Sequence, residues 1–186
     1  MEYRQTRLLM QFFIASEALF FVALIVAYVY FRNLTDDWAE SAKYLDIRRT
    51  GIFTIFLFSS SGTITVANWA LRKQKRGVLV GALVVTIVFG AIFLAGQATE
   101  YYMLYERGVK ISMNIFGSAF FTLTGFHGFH VFVGLIILSV FLTLVLLGSF
   151  KGNGPFSAFL ATEWYWHFVD AVWVFVFFFV YLRPLL

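Results

Sequence analysis

The side chains able to do chemistry are few, and most of them lie inside very apolar stretches of the chain. His127 and His130 stand at positions i and i+3, so on a helix they project about one turn apart. His167 precedes Asp170 by three residues in the segment EWYWHFVDAVW. At about 3.6 residues per turn, one face of a helix over this segment carries Glu163, Trp166, His167, Asp170 and Trp173.

Two further carboxylates accompany these groups. Glu17 lies near the middle of the first apolar run, and Glu100 follows Gln97 at the end of the third. A charge at the centre of a bilayer costs about 2.5–3.5 kcal/mol on insertion scales, so we expect Glu17 to face protein rather than lipid. For Gln97 and Glu100 two interpretations stay open, a solvated helix end and a buried polar cluster.

Three interpretations of the whole set compete. Imidazoles and carboxylates suit iron, copper or zinc, but the His-x-x-His spacing differs from the Glu-x-x-His pairs of di-metal bundles. Intramembrane Asp, Glu and His also suit a proton relay or a small stand-alone transporter, although Pro155 and Pro184 lie at segment ends rather than within spans. The third is a structural network in which His167 and Asp170 bond His127 or His130, and physical reasoning alone favours it slightly.

The elements that position these groups are transmembrane helices. The chain has 186 residues, of which 61% are hydrophobic and only 13% charged, which is a membrane composition. Runs of about 20 apolar residues cross the hydrocarbon as helices. They predict an all-α bundle of five spans in one domain, residues 1–186, with spans at about 8–30, 52–71, 78–98, 119–147 and 159–182.

The second span is rich in small and hydroxyl residues, among them Ser59, Ser60, Ser61, Gly62 and Thr65. Such residues allow helices to approach closely, and their hydroxyls can bond to the preceding turn. We therefore interpret this helix as a packing face rather than as a cluster of nucleophiles.

The charged residues and the first apolar run predict partners, the start of the mature chain and its orientation in the membrane. The formal charge is +4, but the basic residues sit in short loops without a continuous basic face, so nucleic acid is not an expected partner. The first apolar run is longer than the core of a signal peptide, so we expect the mature chain to begin at or near Met1. The compact basic turn at 72–76 predicts a cytoplasmic N-terminus and an outer C-terminus. Lipid headgroups are expected to contact Arg4, Arg7, Arg72, Lys73, Lys75 and Arg76.

Four motifs resemble subunit III of the haem-copper cytochrome c oxidases. They are SEALFF at 16–21, QATEYY at 97–102, TGFHGFHV at 124–131 and WYWHFVDAVW at 164–173. Their order and spacing match as well, and the resemblance covers nearly the whole chain. It implies a subunit of a proton-pumping terminal oxidase that passes electrons from cytochrome c to oxygen.

The resemblance also implies roles. Subunit III holds no haem or copper, which belong to subunits I and II; it packs against subunit I, binds phospholipid and supports proton uptake. The residues matching the family motifs are expected to form one buried polar network, namely Glu17, His127, His130, His167 and Asp170. Supporting positions are Gln97, Glu100, Thr124, Glu163, Trp166 and Trp173. No residue of this chain is expected to be catalytic.

The chain resembles the five-helix bacterial form of the family. Longer members have seven helices, with a lipid-filled cleft beside the first two, so here the cleft is either absent or completed by another subunit. A bacterial plasma membrane is the expected location, ahead of the mitochondrial inner membrane. Subunit III of quinol oxidases and proteins associated with nitric oxide reductases are similar and remain alternatives, as does the transporter.

Overall fold

The chain forms five long helices, described in a computed structural model over residues 2–35, 38, 42–112, 114–148 and 154–183. The helices are α1 (Glu2–Leu34), α2 (Ile47–Arg72), α3 (Arg76–Glu106), α4 (Ile115–Leu146) and α5 (Gly154–Phe177). A wider, π-helical turn at Phe178–Leu182 continues α5. All five are long and apolar enough to cross a membrane, which confirms the predicted all-α class and number of spans.

Two helices begin several residues before their predicted spans, and a polar residue caps each of them there. Asp46 precedes α2, and its side chain accepts a hydrogen bond from the backbone N–H of Arg49 at 3.1 Å. Asn114 does the same for α4 with the N–H of Gly117 at 2.8 Å. Such caps satisfy N–H groups that the first helical turn leaves free, so a helix can begin in the interface.

The centre of the bundle is α5. Half of its most apolar window is buried, compared with 11% for α1. It packs against α1, α2 and α4, while α2 lies along α3. The neighbours of α5 therefore decide which partners its polar face can reach.

The indole of Trp166 fixes how closely three helices approach. It is fully buried, and it lies against Gly90 of α3 and Gly134 of α4. A Cβ added at either glycine would come within 2.8 Å of an indole carbon. The two glycines therefore provide the space that this side chain fills.

Candidate functional site

The polar face of α5 meets the hydroxyl-rich face of α2, and together they form a line of hydrogen bonds that we call the α2–α5 seam. At one end Asn68 donates to a carboxylate oxygen of Glu163 at 2.5 Å. The Nε of Arg72 donates in turn to the amide oxygen of Asn68 at 3.2 Å. Glu163 is thereby held by α2, and only 6% of the residue is exposed.

The middle of the seam joins His167 and Asp170 through one serine. The hydroxyl of Ser61 donates to Asp170 Oδ2, and its oxygen lies 2.9 Å from His167 Nδ1. Because a hydroxyl has a single hydrogen, the hydrogen between Ser61 and His167 comes from Nδ1. His167 is thus the Nδ1–H tautomer when it is neutral.

The two tryptophans on the polar face of α5, Trp166 and Trp173, also donate to α2. The indole N–H of Trp166 lies 2.9 Å from Ser60 Oγ, and that of Trp173 lies 2.9 Å from Thr54 Oγ1. All four residues are buried. In a low-polarity interior each N–H needs an acceptor, so these bonds set the register of α5 along α2.

Glu100 marks the other end of the seam. Its carboxylate accepts from Thr50 at 3.0 Å, from Gln97 at 3.2 Å and from Tyr181 at 2.6 Å. Only 3% of Glu100 is exposed, which decides between the two interpretations in favour of a buried cluster. From Thr50 to Asn68 the seam follows about 27 Å of α2 at about 1.5 Å per residue, close to the thickness of the hydrocarbon.

Glu17 lies apart from the seam, with His130. His130 Nε2 is 3.1 Å from Glu17 Oε2, and His130 Nδ1 is 2.7 Å from the carbonyl oxygen of Phe126. A carbonyl only accepts, so Nδ1 carries a hydrogen, and the contact with Glu17 requires one more proton, on the imidazole or on the carboxyl group. The pair lines a cleft of about 430 Å³ between α1, α4 and α5.

His127 occupies a third environment. It is fully buried and stacks on Trp173, with the ring centroids 4.7 Å apart and the planes at 29°. The rings of Phe93 and Phe21 meet it edge-on at 5.8 and 6.4 Å. Neither ring nitrogen has a hydrogen-bond partner within the part of the chain that the structure describes. Ring packing therefore holds this imidazole.

The five residues expected to form one network are thus distributed over separate groups. His167 and Asp170 share Ser61, Glu17 pairs with His130, and His127 is packed among rings. The expected bond between the α5 pair and a histidine of α4 is replaced by bonds to α2, because α2 presents its hydroxyls to that face of α5. Thr124, a supporting position, bonds the hydroxyl of Tyr101 at 2.7 Å.

Sequence reasoning missed the partners on α2. The sequence interpretation of Ser60 and Ser61 is helix packing, and Thr54 and Asn68 are not singled out by it, yet all four bond side chains of α5. The available signal was their helical spacing, which places short polar side chains along one side of α2. Of the basic residues expected to contact lipid headgroups, Arg7, Arg72, Lys75 and Arg76 lie at one end of the bundle, where Arg7 sits over Trp164 at 5.6 Å and Arg76 donates to the carbonyl of Leu146 at 2.9 Å. The side chain of Arg4 is outside the described part.

Residues 3–184 match the family model described as cytochrome c oxidase subunit III. Similar proteins bear the name cytochrome c oxidase subunit 3. The one from Corynebacterium diphtheriae is 36% identical, over 91% of this chain and 83% of its own length. Those from Synechocystis and Thermostichus vulcanus are 38% and 34% identical over 91% of this chain, and 72% and 83% of their own lengths are covered.

Proposed function

The chain belongs to the cytochrome c oxidase subunit III family, and we propose that, as subunit III of a terminal oxidase, it does no redox chemistry itself but stabilises subunit I, binds lipid and supports proton uptake. It is a multi-pass membrane protein with five spans. Its bacterial relatives support a location in a bacterial plasma membrane. The N-terminus would face the cytoplasm, as the basic turn at 72–76 predicts.

The observation that carries this proposal is the α2–α5 seam. The carboxylates of Glu163, Asp170 and Glu100 all accept hydrogen bonds from side chains of the chain's own helices. Side chains that are bonded to neighbouring helices in this way fix the register between those helices, which is a structural role. Within the described residues no three His, Asp or Glu side chains come together as a metal site would require. On the family resemblance, we assign haem and copper to partner subunits I and II.

Lipid binding draws its support from the basic end of the bundle. Arg7 lies near the start of α1, Arg72 ends α2, and Lys75 and Arg76 lie at the start of α3, so these charges share one end of the bundle, where an anionic headgroup would meet them. Each such charge contributes about 1 kcal/mol of attraction to an anionic membrane surface. The cleft beside Glu17 and His130 is lined mainly by apolar side chains, which suits an acyl chain.

The test is purification of the tagged chain from its membrane in a mild detergent, followed by a visible redox spectrum. We expect haem absorbance and a co-purifying subunit I. Oxidation of cytochrome c, compared with oxidation of a quinol by the same preparation, then identifies the electron donor. A colourless, solitary and stable protein would refute the proposal, and transport by the isolated chain in liposomes would then identify a transporter.

A further inference from the structure

One surface of the bundle exposes an imidazole near the middle of a membrane span, beside small side chains. Near the middle of α2, the exposed residues are Phe58, Ser59, Gly62, Thr65 and Val66, of which three are small or carry a hydroxyl group. The side chain of His167, two residues from the centre of the span Phe156–Leu182, is 40% exposed beside them. The middle of α4 differs, because the side chains it exposes are large and apolar: Phe126, Phe129, Phe132 and Ile136.

The hydrogen bonds of this surface leave one atom in need of a partner. The hydroxyl of Thr65 donates to the carbonyl of Ser61 at 2.9 Å, so it has no second hydrogen for His167 Nε2, which lies 3.4 Å away. Nδ1 carries the imidazole hydrogen, as argued above for the bond to Ser61. Nε2 of the neutral ring is therefore an acceptor, and the carboxylate of Glu163 at 3.9 Å is too distant to hydrogen-bond to it.

The same surface has room for a close neighbour. A Cβ added to Gly62 would meet no atom within 4 Å, so this glycine is not needed for packing inside the chain. Small residues at the surface of a membrane helix let a second helix approach closely. Lipid tails have no hydrogen-bond donors, and they cannot satisfy His167.

We infer that the surface formed by Ser59, Gly62, Thr65 and His167, which we call the His167 face, binds a transmembrane helix of another oxidase subunit that presents a hydrogen-bond donor to His167 Nε2. This inference rests on the proposed function, because it specifies the surface through which subunit III joins its complex. It also assigns the apolar middle of α4 to lipid.

Photo-crosslinking in the intact membrane tests the surface directly. A benzophenone amino acid replaces Phe58, which is exposed one helical turn from Gly62, or the control residue Phe132, which is exposed on α4. We expect a protein crosslink to an oxidase subunit from position 58 and at least tenfold less from position 132. Equal yields, or a crosslink from position 132 alone, would overturn the inference.

Matched glycine variants give a second test of the His167 face. The wild-type chain serves as the reference that separates failure of the His167 face from failure of the proposed function. Gly62→Leu is compared with Gly81→Leu, because a Cβ at Gly81 also meets no atom within 4 Å. We expect Gly62→Leu to reduce the co-purified partner at least tenfold, and Gly81→Leu to retain it. If the wild type brings no partner, the proposed function fails; if it does and both variants behave alike, only the His167 face fails.

Substitutions of His167 test whether the partner helix donates a hydrogen bond to Nε2. His167→Gln retains an amide oxygen that can accept a hydrogen bond, whereas His167→Leu cannot accept one. We expect the glutamine variant to retain several times more partner than the leucine variant, at equal helix content by circular dichroism. Equal amounts of co-purified partner in the two variants would contradict the inference that the partner helix presents a hydrogen-bond donor.

Discussion

Enlarging either glycine beside Trp166 should destabilise the bundle. A Cβ at Gly134 would lie 2.8 Å from indole atoms Cε3 and Cζ3. A Cβ at Gly90 would lie 2.8 Å from indole Cη2 and from Leu135 Cδ2. The indole is fully buried and its N–H is bonded to Ser60, so the ring cannot move aside without losing that bond.

The magnitude follows from two opposing effects. Carbon atoms normally approach to about 3.5–4.0 Å, so the new methyl group would be about 0.7–1.2 Å too close. Overpacking of this kind costs about 1–3 kcal/mol. Replacing glycine by alanine inside a helix gains about 0.8–1.0 kcal/mol, which partly offsets the cost. An alanine at a glycine with open space makes the same gain without the clash, and Gly81 is such a position.

Stability is measured by titrating the purified chain with SDS in mixed micelles while tryptophan fluorescence is recorded. We expect Gly134→Ala and Gly90→Ala to be about 1–3 kcal/mol less stable than Gly81→Ala, which differs only in lacking the clash. Adding Trp166→Phe should recover part of that difference, because the smaller ring leaves room for the methyl group. Stabilities equal to that of Gly81→Ala would refute the close contact.

Three further changes test the polar groups. Thr54→Val removes the acceptor of Trp173, and a double-mutant cycle with Trp173→Phe should give a coupling of about 0.6–1.7 kcal/mol in the same titration; zero coupling would contradict the bond. Glu100→Gln places an amide N–H opposite the donors Thr50 and Tyr181, so it should lower the free energy of unfolding by about 1–3 kcal/mol. Glu106→Gln, at an exposed position, should leave the free energy of unfolding almost unchanged. Glu17→Gln retains a polar side chain for its histidine, so assembly and initial oxygen consumption should stay nearly intact; an assembled but inactive oxidase would reject the architectural role.

The sequence predicts the spans because hydrocarbon imposes a simple requirement. About 20 apolar residues are enough to cross it, and all five predicted spans lie within or close to helices of the structure. The helix ends are less predictable, because they depend on caps in the interface. Asp46 and Asn114 cap α2 and α4, which begin several residues before the predicted spans. Both caps are polar, so a search for apolar runs does not detect them.

The polar face of α5 is predictable, but its partners are not. The helical period places His167 and Asp170 on one face, and the structure shows both on Ser61. Choosing that serine over His127 or His130 requires knowing that α2 turns its hydroxyls toward this face. Hydropathy does not carry that information, because a serine that bonds its own helix and one that bonds a neighbour look alike in a sequence.

The distribution of satisfied and open groups supports a subunit that works through its surfaces. Glu163 and Glu100 are buried and bonded to neighbouring side chains, which suits the architectural role proposed for them. The accessible chemistry lies at the edge of the bundle, at His167 beside α2 and at the Glu17–His130 pair in its cleft. Substitutions of the buried seam residues should therefore act on stability, whereas substitutions of the partly exposed His167 and of the Glu17–His130 pair should act on what the chain binds.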